Sequence, residues 1–298
     1  MYKILSTLII SIFLISSCSK NENIADAYGN FEAVETIISA QSSGTILNCF
    51  IEEGNTITKG DTAYITDSNS FKLQKMQILS KKNALSSKSS GIIAQVNVLK
   101  QQKEVLLKEK NRVLKLLKDS AATEKQFDDI SGKLNILNTQ IQQVKTQNQS
   151  LFEELKVFDA QLKLTDDLIN KTITINPING TVLTKYSEQS EIAMPGKPLY
   201  KIADLSKLIL RAYLSGTQLN EIKIGQKVDI FIDKTKEENK KYSGTISWIS
   251  NKAEFTPKVI QTKEERVNLV YAIKINVEND GGIKIGMPGE IRFTQKNN

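Results

Sequence analysis

The sequence predicts an α+β protein: a long antiparallel helical hairpin inserted into a split β-domain, followed by a small antiparallel β-barrel. Three observations carry this expectation. A motif occurs twice, 136 residues apart, as Ser43-Gly44-Thr45-Ile46-Leu47 and Asn179-Gly180-Thr181-Val182-Leu183. Each copy places a second glycine 16 residues on (Gly60, Gly196) and a tyrosine 20 residues on (Tyr64, Tyr200). Between the copies lie two runs of apolar residues at seven-residue spacing, the mark of paired long helices. After the second copy, short alternating stretches return, separated by glycine-containing or charged turns.

The first element is an address. Lys3 precedes an apolar run from Ile4 to Ile15 that ends in Leu14-Ile15-Ser16-Ser17-Cys18. The run is too short to cross a bilayer as a helix and fits the apolar part of a signal peptide. Small residues before a cysteine at that point resemble a bacterial lipobox, in which Cys18 becomes the lipid-carrying N-terminus. The alternative is an ordinary signal peptide with an incidental cysteine. Residues 1–17 are therefore expected to be signal peptide and 18–27 a polar tether. Cys49, the other of the two cysteines, is expected to be a small core residue.

Residues 28–67 are assigned to an N-terminal strand and the first half of the β-domain. The hairpin follows over 68–172. Its first arm carries Phe71, Ile78, Leu85, Ile92, Leu99, Leu106 and Val113, spaced seven apart without a miss. The second carries Phe127, Leu134, Ile141, Asn148, Leu155, Leu162 and Ile169, with Ile130, Leu137, Val144, Leu151 and Phe158 beside them. Arms of about 48 residues at 1.5 Å per residue project about 70 Å. Gly91 is a soft point in the first arm, and Asn148 is a lone polar residue that can fix register. Residues 118–122 break the pattern. Thr123, with Glu124 next and Gln126 three residues on, reads as a capping box opening the second arm. Residues 173–203 form the second half of the β-domain and 204–298 the barrel.

Composition narrows the function. Among 298 residues there is no histidine, which removes most metal-site and triad chemistry. The net charge of +7 is scattered rather than gathered on one face with aromatics, so nucleic acid is not an expected partner. No Gly-rich phosphate loop is present, and no hydrolase site is visible, so the chain is read as a non-enzyme.

The order of tether, half-domain, hairpin, half-domain and barrel resembles the HlyD-type membrane fusion proteins, the periplasmic adaptors of tripartite efflux and secretion systems. The resemblance runs from about residue 28 onward. It likens the split domain to a biotinyl/lipoyl fold, with Gly44, Gly54, Gly60, Pro177, Gly180 and Gly196 at the turns. The hairpin replaces the turn that would carry a modified lysine, so no biotin or lipoyl cofactor is expected, only the lipid on Cys18. At the hairpin tip Arg112, Leu116 and Thr123 match the family's Arg, Leu and Ser trio, with threonine in the serine's place. In the family that trio docks on a TolC-like outer-membrane channel. Phe255, Thr256, Pro257, Gln261, Thr262 and Arg266, with the later Gly286-Met287-Pro288-Gly289, resemble a barrel signature of adaptors partnered with ABC exporters. A loop fixed by Pro257 and a charge pairing by Arg266 is the structural alternative. The resemblance further implies an inner-membrane transporter partner, ABC ahead of RND, a hexameric ring of copies, and a periplasmic location on the inner membrane. A structural coiled-coil lipoprotein is the competing reading, and a biotin or lipoyl carrier a weaker one.

Overall fold

A computed structural model of the protein describes residues 25–233, 235, 238–255 and 269–293. These divide into two units: 25–36 with 202–293, and 37–201.

The first unit is a closed antiparallel barrel of six strands. They are β1 (Ala27–Glu32), β10 (Lys207–Ser215), β11 (Lys227–Asp233), β12 (Asn239–Ile249), β14 (Leu269–Glu278) and β15 (Pro288–Phe293). The order β10-β1-β15-β11-β12-β14 closes through pairing of β10 with β14. A two-residue strand, β13 (Glu254–Phe255), is added outside on β14, and Arg211 of β10 holds it by an ion pair with Glu254 at 3.1 Å. Alternation drives closure: Leu208, Leu210, Ala212 and Leu214 of β10 point inward, as do Val228, Ile230 and Ile232 of β11. Gly244 faces this interior, because a Cβ there would lie 2.5 Å from Ile275 and 2.7 Å from Ile230.

The barrel corrects one expectation. The sequence suggested that it is built from residue 204 onward, but its sixth strand is β1, from the chain's start. β1 sits between β10 and β15 in register, with Phe31 opposite Leu210 and Gly29 opposite Gly289. The Gly286–Gly289 segment makes that seam. Gly286 donates its N–H to the Phe31 carbonyl at 2.7 Å, and Phe31 donates back to Met287 at 2.9 Å.

The second unit contains the repeat. Strands β2 (Glu35–Ser39), β3 (Gly44–Cys49), β4 (Thr56–Ile57) and β5 (Thr62–Thr66) precede the hairpin; β6 (Ile173–Ile175), β7 (Gly180–Lys185), β8 (Ile192–Ala193) and β9 (Pro198–Ala203) follow it. They form two four-stranded sheets, β2-β9-β7-β4 and β6-β5-β3-β8. Adding 136 to the first set of strands turns one sheet into the other. The hydrogen bonds obey the same exchange. Gly54 donates to Val182 and Val182 to Asn55, while Ser190 donates to Ile46 and Ile46 to Glu191, all at 2.8–2.9 Å. Gly60 donates to Asn176 and Gly196 to Ala40 in the same way. The two motif tyrosines meet on the pseudo-twofold, fully buried, with rings 6.1 Å apart and nearly parallel. Tyr64 donates its hydroxyl to the Ser187 carbonyl at 2.8 Å, and Tyr200 to the buried Asn176 side chain at 3.0 Å. Cys49 sits in β3 half-buried, not in the core, with its thiol 3.5 Å from the Ile51 carbonyl.

From this domain rise α1 (Asn69–Lys118) and α2 (Glu124–Asn170), of 50 and 47 residues. Their buried apolar residues fall on the predicted columns: Ile78, Ile92 and Val113 on α1, and Leu134, Leu137, Ile141 and Leu151 on α2, with Val96 beside them; buried Thr165 is not one of the predicted residues. Polar rungs complete the seam. Lys75 pairs with Asp166 at 2.6 Å and Lys82 with Asp159, and Ser89 donates to Asn148 at 2.7 Å.

Candidate functional site at the hairpin tip

Two local signals make the tip. Helix α1 ends because Ser120 takes a left-handed conformation at φ +56°. Its N–H donates to Leu117 at 3.1 Å, and the N–H of Ala121 reaches back to Leu116 at 2.7 Å. That pair of bonds is a Schellman turn, which satisfies carbonyls the helix end leaves free. Lys115 and Lys118 in the last turn face the negative end of the helix dipole. Helix α2 then starts on a complete capping box: Gln126 donates its N–H to the Thr123 hydroxyl at 3.3 Å, and Thr123 donates its N–H to the Gln126 side chain at 2.9 Å.

The sequence-selected trio is arranged around this turn. Arg112 and Leu116, four residues apart, share one face of α1's last two turns. The Arg112 side chain is 70% exposed and is aimed by Glu109, whose carboxylate it meets at 2.6 Å. Leu116 is 40% exposed, although its carbonyl anchors the turn. The two residues border a shallow groove with Ala121, Ala122, Gln126 and Ile130 on its other side. Thr123 faces solvent, and its hydroxyl oxygen is taken up by the cap, leaving the hydroxyl proton free to donate. The arrangement offers one cation, one apolar knob and one hydroxyl on a rigid turn. Sequence reasoning missed Glu109 and Ser120. Glu109 was legible as a carboxylate three residues before Arg112; Ser120 carried no signal, since glycine is the usual residue there.

The other sequence-selected residues are not brought to the tip. Cys18 lies outside the described residues, as do Thr256, Pro257, Gln261, Thr262 and Arg266. Phe255 is described only in its backbone, paired with Leu269 at the barrel's edge. Among the described residues no cluster suits a metal ion, and no helix is long and apolar enough to cross a membrane.

No family model matches the chain. By sequence it is 25% identical over 302 residues to a UPF0194 membrane protein of Yersinia pseudotuberculosis, covering 93% of this chain and 92% of that one. A Yersinia enterocolitica homologue is 26% identical over 293 residues, covering 90% and 89%. Among solved structures, MacA from Actinobacillus actinomycetemcomitans superposes with a TM-score of 0.50 at 23% identity, over 91% of this chain and 79% of MacA. A MacA–MexA chimera carrying the Pseudomonas aeruginosa MexA α-hairpin gives 0.53 at 18% identity, over 90% and 78%. Helical hairpin, six-stranded barrel and a sequence relationship over nine-tenths of the chain thus converge: the chain is similar to the UPF0194 membrane proteins and has the fold of the HlyD-type membrane fusion proteins.

Proposed function

We propose that the protein is a periplasmic adaptor that links an inner-membrane transporter to a TolC-like outer-membrane channel for efflux or secretion. The observation that carries this reading is the tip: Arg112 and Leu116 stand exposed on a turn whose backbone is bonded on both sides. In this reading Arg112 supplies charge and hydrogen bonds to the channel, Leu116 fills an apolar recess, and Thr123 holds the turn that presents them. The exchange of the two small sheets by a 136-residue shift supports a split domain of biotinyl/lipoyl type. Its inter-repeat turn is occupied by the hairpin, so no lysine there is offered to biotin or lipoate. Cys18 is the lipid anchor to the inner membrane of a Gram-negative envelope. The barrel addresses the transporter, with the 255–266 signature favouring an ABC exporter over an RND pump. Copies assemble laterally as a ring, six by family resemblance, with polar hairpin flanks against one another. A structural coiled-coil lipoprotein would account for the heptads and the anchor but not for the duplicated β-domain or the barrel.

The test is cross-linking in cells from a photoreactive residue at position 116, with captured partners identified by mass spectrometry. Capture of an outer-membrane channel is the expected result. Capture of nothing but further copies of this chain, with the channel present, would defeat the docking assignment. Arg112→Asp is expected to abolish transport while expression and folding persist.

A further inference from the structure

The chain enters the barrel through a clamp. Asp26 donates its N–H to the Ile291 carbonyl at 2.9 Å, its carboxylate accepts the Phe293 N–H at 2.7 Å, and its carbonyl accepts the Gln218 side chain at 2.7 Å. Asp26 lies eight positions after Cys18. A stretch of that length reaches at most about 29 Å. With Cys18 lipidated, the barrel end holding Asp26 is kept within that distance of the headgroups.

That same end carries the loop between β10 and β11, since Gln218 in it holds Asp26. The loop closes in a turn: Gln226 donates its N–H to the Lys223 carbonyl at 3.1 Å, and Gly225 takes φ +88°. Ile224 is therefore set on the corner. It is 67% exposed, whereas Ile222 two residues before is buried in the barrel. A branched aliphatic on an exposed corner makes no contribution to this fold's core. Lys223 and Lys227 flank it, and Glu221 is the one acidic residue between 216 and 227. Tyr28, 58% exposed, stands on the barrel's outer surface two residues beyond the clamp. An apolar tip between lysines, on the barrel end where an exposed tyrosine also stands near the start of β1, is the pattern of a segment seated at a membrane–water interface.

We propose that this end of the barrel rests on the inner-membrane surface, with Ile224 set among the lipid headgroups and Lys223 and Lys227 facing anionic lipid. The proposal rests on the lipid-anchor reading of Cys18 and adds a second contact to it. One isoleucine and two lysines bind a membrane weakly by themselves. Held close by the anchor, the contact becomes effectively intramolecular and sets which way the barrel faces.

The test uses the full lipidated chain in liposomes containing anionic lipid and bromine-labelled acyl chains, which quench nearby tryptophan. Trp248 is the single tryptophan and lies on the barrel's outer surface, so Trp248→Phe gives a silent background. Ile224→Trp in that background reports the loop, and Val34→Trp, just past the opposite end of β1, is the control. The expected result is strong quenching and a blue shift for Ile224→Trp, little for Val34→Trp, and loss of most of the quenching when Lys223→Glu and Lys227→Glu are added. Should the tryptophan exchange perturb the barrel, Ile224→Cys carrying a polarity-sensitive dye reads the same depth. Equal, weak quenching of both probes in protein that floats with the liposomes would overturn the membrane contact alone. Shielding of the Ile224 probe from aqueous iodide without lipid quenching would assign the loop to a protein partner and overturn it too. Failure to float, with no lipid in the intact mass, would remove the anchor reading and this one with it.

Discussion

The small β-domain and the helical hairpin belong to one unit but are held together differently. The β-domain surrounds its core: Tyr64, Tyr200 and Leu199 have no exposure at all, and two interleaved sheets close over them. The hairpin has only a seam, whose buried apolar residues keep 5–8% exposure and whose second row on α1 is largely lysine and serine. Two helices cannot enclose a side chain on every side, so the apolar burial of the seam is incomplete and half-exposed polar rungs border it. The β-domain is thus the fixed base, and the hairpin a lever specified by register more than by stability.

The contrast can be broken or sharpened by substitution. Tyr200→Ala removes half of the central ring pair and leaves Asn176 without its partner; a loss of about 3–5 kcal/mol in denaturant unfolding is expected. Ile141→Ala in the seam should fall at the low end for such truncations, about 2 kcal/mol, and should lower helix content without loosening the β-domain. Equal losses would show that the hairpin is no less a core than its base. Alkaline pH probes the base alone. Burial is the main force pushing the Tyr64 hydroxyl above its ordinary range and pushes Tyr200 up to about 12. The folded chain keeps protons that unfolded tyrosines release near pH 10, so this contribution is full below about 10 and is lost as pH climbs through the folded values. Tyr200→Phe should flatten that decline, read as melting temperature against pH.

Smaller effects test the register. Ser89→Ala leaves Asn148 unpaired in the seam and should cost about 1 kcal/mol. Adding Asn148→Leu should restore the melting temperature yet broaden the set of inter-arm disulfides that form between paired cysteines. Gly91→Ala meets nothing within 4 Å and should raise stability by about 1 kcal/mol. Ser190→Gly relieves a left-handed serine at φ +73°, a gain of about 0.5 kcal/mol after the added freedom of the unfolded glycine is subtracted.

Much of this was legible because the chemistry is local. A helix must show its seven-residue column, and the Thr123 and Gln126 side chains cap whichever helix follows them. The repeat was readable where turns demand glycine and where the tyrosines need each other. It was not readable at Ser190, whose counterpart is Gly54, because the fold overrides the residue's own preference there. The placement of β1 in the barrel was hidden for a different reason. Its partners lie about 180 and 260 residues away, and a strand's pattern says which face is apolar but not which strand it joins. At the tip, the roles proposed for Arg112 and Leu116 rest on resemblance; their exposure and the turn's geometry come from the structure.

Five residues, 119–123, join the two helices, and the backbone of the turn is tied at both ends by the Schellman bonds and the capping box. A loop of ordinary freedom would have to give up conformational entropy whenever something bound to it. Here that loss is taken when the chain folds, before any encounter. In the proposed docking, a partner arriving at the tip would meet a settled shape, and its residence time would be governed by the contacts made rather than by the ordering of the loop.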